Sequence, residues 1–407
     1  MRGLALSRDN IIMQNTDSKS YNSVSSTSAM IAWAMSGAAV LVLLPMLVGG
    51  FADHLKFSGK LLAYLAAADM IGAAIGTLII SPKVDTLNIK KMAAVAILIM
   101  VVGNLASIGV STFMMLFIIR MFCGLGQGIS MGAACSIMSH TNKADRTIAL
   151  MVVGALLFGA AGIYIIPSIL DHSGIDGLYI SLAIIAFISL ICVKWLPEKA
   201  LVQIDNSATE LNTNSEKQQP THSNFYKWLP VVGVLFYFIA QGAIWAYIER
   251  MGAAVGFSAQ DIGVALGICS IFGALGGGLA AFLDIRFGRF KPLTIAAIIS
   301  ISGLVILLTE FNLFYYGIAA AMFNFGWNYT YPYQLTAIRS IDPTARLVSV
   351  AVAMQTFGLA IGPVLAGLLI VDNNYDLAKW LAIFLISSAL ILLTPSSRFG
   401  DKLMVKV

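Results

Sequence analysis

Charge is what this chain has least of. Only 11% of its residues are Asp, Glu, Lys or Arg, too few to cover a soluble domain of this length. Its four cysteines (Cys123, Cys135, Cys192, Cys269) lie far apart inside apolar stretches, and its four histidines (His54, His140, His172, His222) are scattered between such stretches. Neither set has the spacing of a metal site or a disulfide framework. The chain also lacks His-Glu-x-x-His, a Gly-x-Ser-x-Gly elbow and a Walker-type phosphate loop. Those absences argue against a membrane enzyme and an ATP-driven pump, and no cofactor is expected.

What fills the chain is apolar: 58% of its residues are hydrophobic and the mean hydropathy is +0.86. A bilayer core of ~30 Å needs about 20 apolar residues of helix, because unpaired backbone groups find no water there. Twelve stretches meet that need: 29–51, 59–80, 92–110, 112–139, 147–169, 177–196, 228–250, 260–283, 291–309, 313–337, 347–370 and 378–395. The alternation of a membrane β-barrel is absent, so the expected fold is an all-α membrane protein of twelve transmembrane helices. Of the 25 Lys and Arg, 20 fall at one side of the spans, four at the other (Lys56, Lys60, Arg250, Lys379) and Arg120 within a span. The positive-inside rule then places both termini in the cytoplasm. The net charge of +5 reflects this topology and gives no reason to invoke nucleic acid.

Residues 1–28 are polar, with no apolar core, and read as a flexible cytoplasmic leader rather than a cleaved signal peptide. Residues 197–227, rich in Asn, Gln, Ser, Thr and charge, read as a cytoplasmic linker. They separate a six-helix bundle at 29–196 from a second at 228–395, followed by a tail at 396–407. A weak repeat supports that division. Asp85 after the second span recurs as Asp284 after the eighth, and Met121-Phe122 recurs as Met322-Phe323. Duplicated halves in a membrane protein point to a transporter with its site between them.

The loop after span two reads Ser81-Pro82-Lys83-Val84-Asp85-Thr86-Leu87-Asn88-Ile89-Lys90-Lys91, and its counterpart reads Asp284-Ile285-Arg286-Phe287-Gly288-Arg289-Phe290-Lys291. Both resemble the G-x-x-x-D-R-x-G-R-R loop of the major facilitator superfamily, with Ser81, Thr86 and Asn88 replacing Gly, Arg and Gly. Asn88 suits a turn there because asparagine tolerates positive φ. Arg120-Met121-Phe122-Cys123-Gly124-Leu125-Gly126 resembles the R-x-x-x-G-x-G pattern of proton-coupled members, drug:proton antiporters in particular. Gly358-Leu359-Ala360-Ile361-Gly362-Pro363 in span eleven is similar to that group's Gly-Pro element, which the antiporters carry in span five. The resemblance implies the major facilitator fold, two pseudo-repeated bundles, a monomer and a cavity lined by spans one, four, seven and ten. It also implies a cytoplasmic gate in which Asp85, Lys90 and Lys91 latch the halves, mirrored by Asp284, Arg286, Gly288 and Arg289. Gly124, Gly126, Gly128, Gly358, Gly362 and Pro363 are candidates for helix packing or hinges.

Ionisable residues inside spans need a cavity or a partner. Asp69 lies mid-way along span two, and Arg120 lies about 12 Å below the outer end of span four at 1.5 Å per residue. At similar depth, they are expected to pair. Either Asp69 carries the coupling proton while Arg120 tunes it, or the pair is a static tie within the N-terminal half. In span ten, Asn324, Trp327, Asn328, Tyr331 and Gln334 share a stripe; span seven adds Tyr237, Gln241, Trp245 and Glu249. A wall of Trp, Tyr, Asn and Gln suits a small amphipathic organic solute. Glu249 and Arg250 either bind a charged group on that solute or form an ion pair at the outer rim.

The expected function is proton-coupled transport of such a solute across the lipid bilayer by alternating access. Export by antiport is favoured through the antiporter resemblance. Uptake of an organic acid or other nutrient by proton symport is the alternative, and a non-transporting sensor on the same fold is the reading of another class. The short leader and compact loops look bacterial, which implies the cytoplasmic (inner) membrane.

Overall fold

In the computed structural model, which describes residues 21–55, 57, 59–84, 86–199, 224–342 and 346–404, the apolar stretches are helices. They are α1 (Val24–Leu55), α2 (Gly59–Ile80), α3 (Ile89–Ala106), α4 (Phe113–Ser139), α5 (Ala144–Cys192), α6 (Asn224–Val255), α7 (Ala259–Leu283), α8 (Phe290–Leu308), α9 (Leu313–Ile341), α10 (Arg346–Leu369) and α11 (Asp376–Met404). The exceptional length of α5 hides two crossings. Gly174 interrupts it at φ 60°, ψ −160°, a conformation open to glycine and hardly to other residues, and the fifth and sixth spans are its two legs. Ten of these helices are long and apolar enough to cross a bilayer. The other, α9, carries the Asn, Gln, Trp and Tyr stripe. Large exposed side chains such as Val102, Phe122, Phe282 and Ile391 are apolar, as a surface bathed in lipid requires.

Several boundaries differ from expectation, each for a local reason. Helix α1 begins at Val24, inside the expected leader. Buried Tyr21 donates its hydroxyl to Ile137 O at 2.7 Å, and Asn22 Oδ1 accepts the Asn142 amide at 2.7 Å. Helix α11 runs through Pro395 to Met404 and takes in most of the expected tail. Its Asp401 accepts the amides of Arg289 (2.6 Å) and Phe290 (3.1 Å), supplying acceptors that the start of α8 would otherwise lack. Asn88 is not left-handed but extended (φ −71°, ψ 116°), and serves as the N-cap of α3 by accepting the Lys91 amide. The left-handed residues of the second loop are Asp284 (φ 48°) and Gly288 (φ 76°). Asp85, Lys56, the first 20 residues, 200–223 of the linker and the last three residues lie outside the described set.

Within the N-terminal half, α2 and α4 interlock most closely. A Cβ on Gly72 or Gly76 would run into the backbone of α4, and one on Gly124 or Gly128 into that of α2. With little hydrophobic drive between helices in lipid, such close approach is what holds them. In the C-terminal half Gly358 and Gly362 press on α6 at Phe238 and Ile239. The halves meet through α1 with α6, α2 with α10, and α5 with α7.

Candidate functional site

The structure brings Asp69 and Arg120 together. Arg120 donates from Nε to Asp69 Oδ2 at 2.8 Å and from Nη2 to Asp69 Oδ1 at 2.7 Å. Its Nη1 reaches Asn104 Oδ1 on α3 at 2.8 Å, and Tyr179 on the second leg of α5 places its ring 5.6 Å from the guanidinium. Gln127, two turns along α4 from Arg120, donates to Asp69 Oδ1 at 2.9 Å. The side chains of the pair are 0% and 1% exposed. Every one of these partners belongs to the N-terminal half. The bidentate fork and its amides therefore saturate a charge pair inside that half, turned towards α3 and α5 rather than α6 and α9.

The polar stripe of α9 divides. Trp327 and Tyr331 turn to α6, where Phe238 contacts both rings at 6.3 Å and Trp245 packs edge-on against Trp327 at 6.2 Å. Trp245 Nε1 crosses to the other half and donates to Leu41 O at 2.8 Å. Asn324 and Asn328 turn instead to α7 and are spent there. Asn324 Nδ2 donates to Cys269 O at 3.3 Å, and Asn328 Nδ2 donates to Asn324 Oδ1 at 2.9 Å. Tyr237 is also engaged, its hydroxyl donating to Gly326 O at 3.2 Å. Gln241 and Gln334 differ. Both are fully buried, and neither amide's N nor O has a hydrogen-bond partner. Gln241 lies one turn from both Phe238 and Trp245 on α6, and Gln334 one turn from Tyr331 on α9. Gln355 on α10, which leaves its Nε2 unpaired as well, was not singled out in the sequence.

Glu249 belongs to a different cluster, at the end of the molecule assigned to the outside. Arg250 donates from Nε to Glu249 Oε2 at 2.8 Å and from Nη1 to Asp53 Oδ1, on α1, at 2.7 Å. Glu249 is 5% exposed and lies against Gly49, where a Cβ would stand 2.5 Å from its Oε2. A cavity of about 50 Å³ opens beside it, bordered by Gly49, Asp53, His54, Asp171 and Glu249. Other bonds between the halves cluster at the same end, including Gln260 Nε2 to Tyr164 O at 3.4 Å. Asp53 carried no signal in the sequence, since a carboxylate just past a span reads as solvated loop.

The cytoplasmic latch expected of Lys90, Lys91, Asp284, Arg286, Gly288 and Arg289 is not made among the described residues. Lys90 reaches Glu198 at 3.5 Å, Arg289 reaches Asp401 at 3.7 Å, and Arg286 lies over Phe282. None of the three pairings joins one bundle to the other. Lys91 and Asp284 are exposed, and Gly288 sits beside Asp401. Gly124, Gly126 and Gly128 all abut neighbouring backbone, and Pro363 O accepts the Tyr247 hydroxyl at 3.2 Å.

The sequence model of the Major Facilitator Superfamily matches residues 25–346. No curated protein matches the chain. Solved structures similar in fold include the xylose transporter XylE from E. coli in a partially occluded inward open conformation. It has a TM-score of 0.70 and 14% identity, over 91% of this chain and 97% of that one. A D-xylose-proton symporter gives 0.69 and 16% over 94% and 97%. The nucleoside transporter NupG gives 0.68 and 13% over 92% and 98%. At such identities the likeness is one of fold.

Proposed function

Because the chain belongs to the Major Facilitator Superfamily, we propose that it is a proton-coupled secondary transporter of a small, uncharged, hydrogen-bonding solute with a ring or apolar face. It would work by alternating access as a monomer in a bacterial cytoplasmic membrane, with both termini inside. The observation that carries this reading is the pair of buried, unpartnered amides, Gln241 and Gln334, beside the Phe238–Trp245–Trp327–Tyr331 cluster. An unpaired buried amide costs about 1–3 kcal/mol, and a solute that supplies both a donor and an acceptor recovers that cost. The rings offer stacking. The buried charges among the described residues are Asp69, Arg120, Glu249 and Lys379, and none belongs to this cluster, so a neutral solute fits better than an organic acid.

Proton symport is in keeping with this site, and the similarly folded proteins are named for xylose and nucleosides. Export by antiport is a second reading, carried by the likeness of Arg120-Met121-Phe122-Cys123-Gly124 to the antiporter motif. Counterflow in proteoliposomes with a panel of pentoses, hexoses and nucleosides tests the solute class. A neutral member should exchange, and Gln241→Ala or Gln334→Ala should slow it about tenfold or more. Preference for an anion, or full activity in both variants, refutes the site. In everted vesicles, dissipation of a pre-formed pH gradient on solute addition marks export.

A further inference from the structure

We propose that Glu249 is a proton-binding site whose occupancy biases the outer seam between the halves towards its closed form. The inference rests on the proton-coupled reading above and names the carboxylate at which the proton acts.

A proton can drive a conformational change only if it binds one conformation better than the other. Its site must therefore have surroundings that change when the halves move. Asp69 has none. Arg120 and Gln127, which occupy its oxygens, lie on α4 of the same half and travel with it. Glu249 is placed in the opposite way. It stands on α6, its carboxylate is covered by Gly49 of α1, and the guanidinium that holds it also holds Asp53 of α1. Parting the halves at this end uncovers Glu249 and takes Asp53 from Arg250 in one movement. The adjoining cavity of about 50 Å³ has room for water, and Asp53 at its mouth is 57% exposed, so protons from outside have a path.

The sign follows from the charges that closure gathers. Helix α1 brings Asp53 and His54, α5 brings Asp171, and α6 brings Glu249 with Arg250. Tyr316 of α9 is committed to Ile248 O, and Asp261 of α7 to Ser258. Burial pushes the phenol of Tyr375, just ahead of α11, above its usual range and keeps it protonated. Two carboxylates thus share one guanidinium while a third, Asp171, borders the same cavity, and a bound proton relieves the excess negative charge. Protonation favours the closed seam; deprotonation favours its opening.

The test uses the full chain in lipid nanodiscs without solute, with its four cysteines replaced. Spin labels go on Ser111→Cys and Phe314→Cys, exposed positions at the outer ends of the two halves. Pulsed EPR follows their separation from about pH 8 to about pH 5. The ratio of short to long separations should rise about tenfold on acidification. Glu249→Gln should hold the ratio constant within about twofold and near its acid value, whereas His54→Asn and the paired change Asp69→Asn with Arg120→Met should keep the response. Should Glu249→Gln not fold, Glu249→Asp serves in its place and should shift the midpoint. An unchanged titration in the Glu249 variants, its loss in His54→Asn or in the paired Asp69→Asn, Arg120→Met variant, or no pH response in the parent overturns the proposal. Solute counterflow that survives such a failure leaves the transport reading standing. Its absence beside an intact pH response removes that reading alone.

Discussion

At the scale of single residues, the fork between Asp69 and Arg120 decides what the N-terminal half tolerates. Both charges are buried and every strong donor has an acceptor. Removing one partner strands the other in a dry bundle, at about 3–5 kcal/mol, while replacing both is far milder. Asp69→Asn and Arg120→Met should each lower the thermal midpoint of the purified protein by several degrees. The double variant should recover most of the loss, as read by size-exclusion after heating. Equal damage in single and double variants would show that the fork is not the stabilising unit. The pair was legible in the sequence, because a charge at mid-membrane needs a partner and the two residues share a depth. Gln127 and Asn104 were not, since an amide inside a span carries no such demand. Asp53 was missed because its partner lies 197 residues away, across a contact that only the assembled halves create.

At the scale of helices, periodicity revealed which residues share a face but not which neighbour the face meets. The α9 stripe illustrates the limit. Its residues do recur at helical spacing, yet α7 offers Gly273 beside Asn324 and Asn328, and α6 offers Phe238 to Trp327 and Tyr331. One stripe therefore serves two walls. The small-residue run in α4 was a better guide, because close backbone approach excludes any side chain. Gly128→Val should sharply reduce the folded fraction, since a Cβ there meets the backbone at Ala73. Gly278→Ala on α7, with nothing within 4 Å, should be neutral or stabilising by up to about 1 kcal/mol through helix propensity. Monodisperse yield from matched preparations reads both, and equal yields would mean that the α2–α4 contact does not limit folding.

At the scale of the molecule, the closed outer end depends on missing side chains, and the one at Gly49 is the most telling. Gly49 on α1 faces Glu249 on α6, and a side chain projecting from Gly49 would meet the Glu249 carboxylate before the seam could shut. Gly49→Val should therefore prop the halves apart at that end without touching the interior of either bundle. Met46, one turn inward and buried within the same cavity lining, supplies the readout. In a background without other cysteines, Met46→Cys should react about tenfold faster with an impermeant thiol reagent added outside once Gly49→Val is present. If the clash is with Glu249 itself, adding Glu249→Ala restores the room and should return the rate towards that of the Gly49 parent, a non-additivity that residues in direct contact show. Labelling that stays slow in Gly49→Val, or that Glu249→Ala fails to reverse, would mean that the halves close on some other contact and that the seam is a bystander to the cycle.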